Sequence, residues 1–143
     1  MTCRRFDFLA FIVAFFVLLF ASGCSSGDQP ELGEVSGTVT LDGKPLSGVW
    51  VGFAPTEGRS SMALTDAQGH YELMYLDATP GAKVGSHKVA ITTPQEDEFG
   101  GQVKNFKELV PPQYNAKTIL TAEVKSGSNT IDFPLTKKGA PVK

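Results

Sequence analysis

The sequence predicts an all-β fold, an antiparallel sandwich of seven strands. Three observations predict it. Seven short segments alternate apolar and polar residues with period two, turn signals rich in Gly, Asn and Asp separate them, and no long stripe of helical spacing competes. The chain has 143 residues, one domain's worth of length.

The strands follow in order. Val35, Gly37, Val39 and Leu41 share one face of the first, with Ser36, Thr38 and Thr40 on the other. Asp42-Gly43 then supplies a tight turn. Val49, Val51 and Phe53 form the second stripe, with Trp50, Gly52 and Ala54 on its reverse, and Pro55 ends it. Ser61 to Thr65 is a weaker third strand, in which either Met62 and Leu64 or Ala63 and Thr65 face the core. Asp66-Ala67-Gln68-Gly69 turns the chain, because Asp66 can accept hydrogen bonds from turn amides and Gly69 can supply a positive φ. Tyr71, Leu73 and Tyr75 alternate with His70, Glu72 and Met74 in the fourth strand. His87, Val89 and Ile91 make the fifth, and Leu120, Ala122 and Val124 the sixth. Ser126 to Asn129 reads as a turn before the seventh, Ile131, Phe133 and Leu135. Each buried apolar side chain contributes roughly 1.5–3 kcal/mol, which makes a sufficient core without disulfides.

Residues 93–117 carry no strand signal, a long gap for a compact domain. Val103, Phe106 and Val110 fall at i, i+3 and i+7, with Leu109 beside them. That spacing predicts two helical turns ended by Pro111-Pro112, a lid over one open end of the sandwich. A partner-binding loop is the alternative.

Upstream, Arg4 and Arg5 precede an unbroken apolar run from Phe8 to Ala21, followed by small residues. The run is shorter than the roughly 20 residues of a membrane span and has the pattern of a secretory signal covering residues 1–23. Ala21-Ser22-Gly23-Cys24 resembles the lipobox of bacterial lipoproteins, with Ala21 where that family prefers Leu. The resemblance implies that Cys24 becomes the first mature residue and is acylated, which would hold the chain on a membrane. An ordinary cleavage site that leaves Cys24 a free thiol is the alternative. Ser25 rather than Asp follows Cys24, which by lipoprotein sorting rules implies the outer membrane. Residues 24–33, rich in Ser, Gly and Pro, read as a flexible tether. The domain is expected over 34–137, with a disordered tail at 138–143.

Charge and cysteine count exclude several functions. Arg4, Arg5 and Asp7 fall in the leader, so the rest carries 11 basic and 14 acidic residues, net −3. Without a basic cluster, nucleic acid is not an expected partner. With only Cys24 left beyond the leader, a disulfide framework and a Cys-based zinc site are excluded.

Val35-Ser36-Gly37-Thr38-Val39, then Gly43-Lys44-Pro45-Leu46-Ser47-Gly48-Val49, resembles the opening of carboxypeptidase regulatory-like domains. Thr65-Asp66-Ala67-Gln68-Gly69-His70-Tyr71-Glu72-Leu73 resembles their next hairpin, and Gly81 with Gly85 to Ile91 their fifth strand. The resemblance implies a prealbumin-like (transthyretin-like) seven-stranded Greek-key sandwich. It brings no assigned activity: many single-domain bacterial lipoproteins look like this chain without one.

Candidate chemistry is sparse, and no catalytic residue, cofactor or metal is expected. His70 and His87 are the only histidines and show no metal-ligand spacing. His70 has outward parity and is expected to be solvated; His87 has inward parity but is expected at the rim. Glu96-Asp97-Glu98 lacks calcium-loop spacing and reads as a solvated charge run. No G-x-S-x-G elbow supports a small hydrolase. Trp50, facing outward, is a possible ligand contact, a platform for sugar stacking. The expected function is a lipid-anchored envelope module with a structural or protein-interaction role. A carbohydrate-binding module using Trp50 is the alternative, and a small hydrolase the second.

Overall fold

The computed structural model describes residues 30–76, 79–96 and 100–138. The leader, Cys24 with most of the tether, Asp97, Glu98 and tail residues 139–143 lie outside the described residues. Among the described residues the strands are β1 (Leu32–Leu41), β2 (Lys44–Pro45), β3 (Trp50–Pro55), β4 (Ser61–Leu64), β5 (His70–Glu72), β6 (Met74–Leu76), β7 (Thr79–Pro80), β8 (Ala82–Lys83), β9 (Gly85–Thr92), β10 (Thr121–Val124), β11 (Gly127–Thr130) and β12 (Phe133–Leu135). Among the same residues a 3-10 turn covers Pro112–Tyr114.

The strands form two sheets. The first is built around β1, which pairs antiparallel with β2, β5 and β8 and parallel with β11 and β12. The second runs β10-β9-β3-β4-β6-β7, antiparallel throughout. Val35, Val39, Val51, Phe53, Tyr71, Val89, Ile91 and Phe133 are among the side chains buried between them. The rings of Phe53, Tyr71 and Phe133 meet there, with centroids 6.0–6.5 Å apart. The fold is an all-β sandwich, with the inward parity read for the first and second strands.

Several local expectations are corrected. The first sheet is mixed rather than purely antiparallel. Ser126–Asn129 is not only a turn: Gly127–Thr130 forms β11, beside Gly33–Ser36. Polar side chains hold it, since Asn129 Nδ2 donates to the Lys125 and Glu34 carbonyls and Ser128 Oγ to the Glu34 carboxylate. The strand β1 starts at Leu32, inside the segment assigned to the tether, because Leu32 and Gly33 pair with Lys83 and Ala82.

The fourth predicted strand is two. Around Leu73 the chain leaves the first sheet, as β5, and enters the second, as β6. Leu73 N donates to Val35 O at 2.9 Å and Leu73 O accepts from Gly81 N at 2.7 Å. The third strand resolves in favour of Ser61, Ala63 and Thr65, which are buried, while Met62 and Leu64 face outward.

The predicted helix at 103–110 does not form. The Glu108 carboxylate instead collects local donors, accepting from Thr93 N at 3.1 Å, Thr93 Oγ1 at 2.6 Å and Val110 N at 3.0 Å. A side chain that satisfies nearby amides competes with the helix ladder. Among the described residues of 93–117, Val110 and Tyr114 reach the core, and Val103, Phe106 and Leu109 remain exposed.

Between β11 and β12, Ile131 and Asp132 cross β1 closely. Asp132 Oδ1 accepts from Thr38 N and Thr38 Oγ1, both at 2.8 Å. Ile131 N donates to Ser36 O at 2.8 Å, and the buried Tyr71 Oη donates to Ile131 O at 2.6 Å. A Cβ on Gly37 would lie 1.9 Å from that same Ile131 oxygen. Glycine is therefore the residue this crossing admits.

Candidate functional site: the outward face of the second sheet

Strand alternation decides which side chains this face presents. With Val49, Val51 and Phe53 inward, Trp50 points outward. Trp50 lies opposite Leu64 on β4 and Thr92 on β9. The next row sets Gly52 opposite Met62 and Ala90, Met62 opposite Met74, and Met74 opposite Pro80. Directly opposed Cβ atoms in a sheet are about 4.5–5.5 Å apart, so these residues make one continuous surface.

Trp50 is 38% exposed, Met62 48%, Leu64 50% and Met74 37%. A shallow groove of about 690 Å³ follows them, with Arg59, Ser60 and Glu72 adding polar groups to its lining. The outward side chains of β9, β3, β4 and β6 include no carboxylate, and Lys88 is their single charge. Such a surface offers stacking and non-polar contact.

A second hollow, of about 670 Å³, lies toward β10 and is lined in part by Ser86, His87, Lys88 and Glu123. Alternation divides these groups: Ser86 and Glu123 point outward, where Ser86 Oγ donates to the Glu123 carboxylate, and the His87 ring points inward. His87 is corrected from the rim to the interior. It is 3% exposed and packs on Phe53 with ring centroids 5.7 Å apart, because β9 begins two residues earlier at Gly85. Its Nε2 lies 2.7 Å from Lys83 O and its Nδ1 has no hydrogen-bond partner. The neighbouring hydroxyl and carboxylate thus face away from the imidazole.

His70 is half-buried at the start of β5, in the other sheet. Its backbone N donates to Asp66 Oδ1 at 2.8 Å, as does Gln68 N at 2.9 Å. Gly69, at φ 75°, closes this turn by donating to Asp66 O at 3.0 Å. The Asp66 carboxylate and Gly69 therefore organise backbone. Among the described residues no group of three or more His, Cys, Asp or Glu is placed to hold a metal ion.

Sequence reasoning singled out Trp50 but missed Met62, Leu64 and Met74 as its companions. The available signal was Met74 at the outward parity of the Tyr71–Leu73 stripe, together with the second of the two parities open for Ser61–Thr65.

No protein-family model and no curated protein matches the chain. Among solved structures, the crystal structure of a DUF3823 family protein from Parabacteroides merdae is similar, at 14% identity and a TM-score of 0.40. The match covers 76% of this chain and 47% of that one, so this chain spans about half the other's length.

Proposed function

We propose that the chain is an exported module of the bacterial cell envelope, anchored by lipid on Cys24 and acting by surface contact rather than catalysis. In this reading residues 1–23 are removed on export, residues 24–31 link the lipid to the sandwich, and the anchored protein resides at the outer membrane. The observation that carries the contact role is the continuous apolar face of Trp50, Met62, Leu64 and Met74. Exposed non-polar patches of this kind mark interaction surfaces. The opposed directions of His87 and the Ser86–Glu123 pair support the non-catalytic reading. The resemblance to carboxypeptidase regulatory-like domains over residues 34–136 agrees with it.

The test is intact-mass measurement of the mature protein with membrane flotation. The expected result is a chain beginning at Cys24 with added acyl mass that floats with membranes, and a Cys24→Ser chain that does not. An unacylated wild-type chain beginning at Cys24 would defeat the anchor.

One observation favours a second reading, a carbohydrate-binding module. Trp50 is exposed beside a groove that Arg59, Ser60 and Glu72 also line. Glycan binding that disappears in Trp50→Ala would support it.

A further inference from the structure

We propose that the outward face of the second sheet lies on the bilayer that holds the anchor, with Trp50, Met62, Leu64 and Met74 seated at the lipid headgroup boundary. The inference rests on the lipid-anchored reading above and adds the surface by which the module meets the membrane.

Chain length gives the first argument. Leu32 lies eight residues beyond Cys24, so even a fully extended connection keeps the start of β1 within about 29 Å of the lipid. The point of entry gives the second. Val84 N donates to Glu31 O at 2.9 Å, Leu32 pairs with Lys83 and Gly33 with Ala82. Two residues before Ala82 stands Pro80, the register partner of Met74. The tether thus joins the sandwich beside the end of the Met62–Met74–Pro80 row.

Charge gives the third. Beyond the leader the chain is net acidic, yet the outward side chains of β9, β3, β4 and β6 carry no carboxylate and one lysine, Lys88; of the acids near them, Glu72 lines the groove together with Arg59, and Glu123 sits on the edge strand β10. A headgroup layer of neutral and anionic lipids accepts such a face, whereas carboxylates there would meet like charge. Tryptophan is enriched at membrane–water interfaces because its ring is apolar and its N–H polar. A short tether holds the face at an effective concentration in the millimolar range, so a weak intrinsic affinity for lipid is enough to keep it docked.

Trp50 is the only tryptophan of the chain and reports on this face directly. The experiment uses the full mature protein, purified from membranes and reconstituted in phosphatidylethanolamine–phosphatidylglycerol vesicles, with and without bromine on the upper acyl chains. A face buried roughly 5–10 Å into the boundary brings Trp50 within reach of the bromines and lowers its emission about twofold. Met62→Glu and Leu64→Glu, each shown to be folded by circular dichroism, place a carboxylate against the anionic headgroups and are expected to restore the emission. Equal emission in the two vesicle types would overturn the inference. So would bromine quenching that both variants retain, or a blue-shifted emission that ignores bromine and vanishes on dilution, which would assign the face to a second copy of the chain. Intact mass is measured on the same sample. An acylated protein without quenching refutes the docking alone, and an unacylated one refutes the anchored reading and the docking with it.

Discussion

Replacing Gly37 by Ala tests the crossing that joins the two ends of the chain. The added Cβ would lie 1.9 Å from Ile131 O and 2.6 Å from Ile131 C, where ordinary contact begins at 3.4 Å. Relief requires Ile131 to retreat by about 1.5 Å along that line. Both hydrogen bonds at Ile131 are then lost: Tyr71 Oη to Ile131 O, now 2.6 Å, and Ile131 N to Ser36 O, now 2.8 Å. Leaving such groups unpaired costs about 1–3 kcal/mol each, against a gain of about 0.4–1 kcal/mol from stiffening the unfolded chain. The expected net loss is about 1–5.5 kcal/mol. In urea, with a slope of about 1–3 kcal/mol/M, the midpoint falls by at least about 0.3 M. Gly52→Ala is the control, since its Cβ would meet only Ala90 O, at an ordinary 3.8 Å. It is expected to be neutral or stabilising by up to about 1 kcal/mol. A Gly37→Ala chain within about 0.5 kcal/mol of wild type, or a Gly52→Ala chain destabilised as much as Gly37→Ala, would refute the reasoning.

Three further perturbations follow from the same geometry. Burial first, and then the charge of Asp132, push the Tyr71 phenol above its ordinary value near 10. The folded chain therefore keeps a proton that the unfolded chain releases. The stability this gives is complete below about pH 10 and falls as pH rises beyond it, by up to about 1.4 kcal/mol per unit. Tyr71→Phe should cost about 1–3 kcal/mol at neutral pH and flatten the alkaline slope in denaturation curves taken from pH 9 to 12; an unchanged slope would refute it. The buried Thr65 Oγ1 accepts from Val49 N at 3.0 Å and donates to Leu46 O at 2.8 Å. Thr65→Val strands both groups and should lower stability by about 1–3 kcal/mol, whereas Thr65→Ser should retain most of it. Asp66→Ala removes the acceptor for Gln68 N and His70 N and should cost about 1 kcal/mol, with Asp66→Asn milder; equal losses in urea would show that the side-chain oxygen is not what matters.

Alternation was legible where the buried face of a strand is also its more hydrophobic one. Val35 to Leu41, Val49 to Phe53 and His87 to Ile91 carry their parity in plain sight. The Ser61–Thr65 strand did not, because its outward residues, Met62 and Leu64, are more hydrophobic than its inward Ser61, Ala63 and Thr65. That inversion is also why most of the candidate site went unseen: a contact surface uses the same residue types as a core. The switch between sheets at Leu73 left no mark, since Tyr71 and Leu73 stay inward across it. Strand β11 was hidden because side-chain hydrogen bonds from Ser128 and Asn129, rather than an apolar stripe, hold it to β1. The helical spacing of Val103, Phe106 and Val110 misled because Glu108 binds the backbone and Thr93 instead of projecting from a helix.

The account depends on which side of the second sheet faces water. In a Cys3→Ser, Cys24→Ser chain, single thiols at Met62→Cys and Val51→Cys probe the two sides, one on β4 and one on β3. Native-state labelling should modify the thiol at position 62 at close to the rate of the unfolded chain, and the thiol at position 51 at least about a hundredfold more slowly. Equal protection at the two positions, or a faster reaction at 51, would contradict the placement of Trp50, Met62, Leu64 and Met74 on an exposed face.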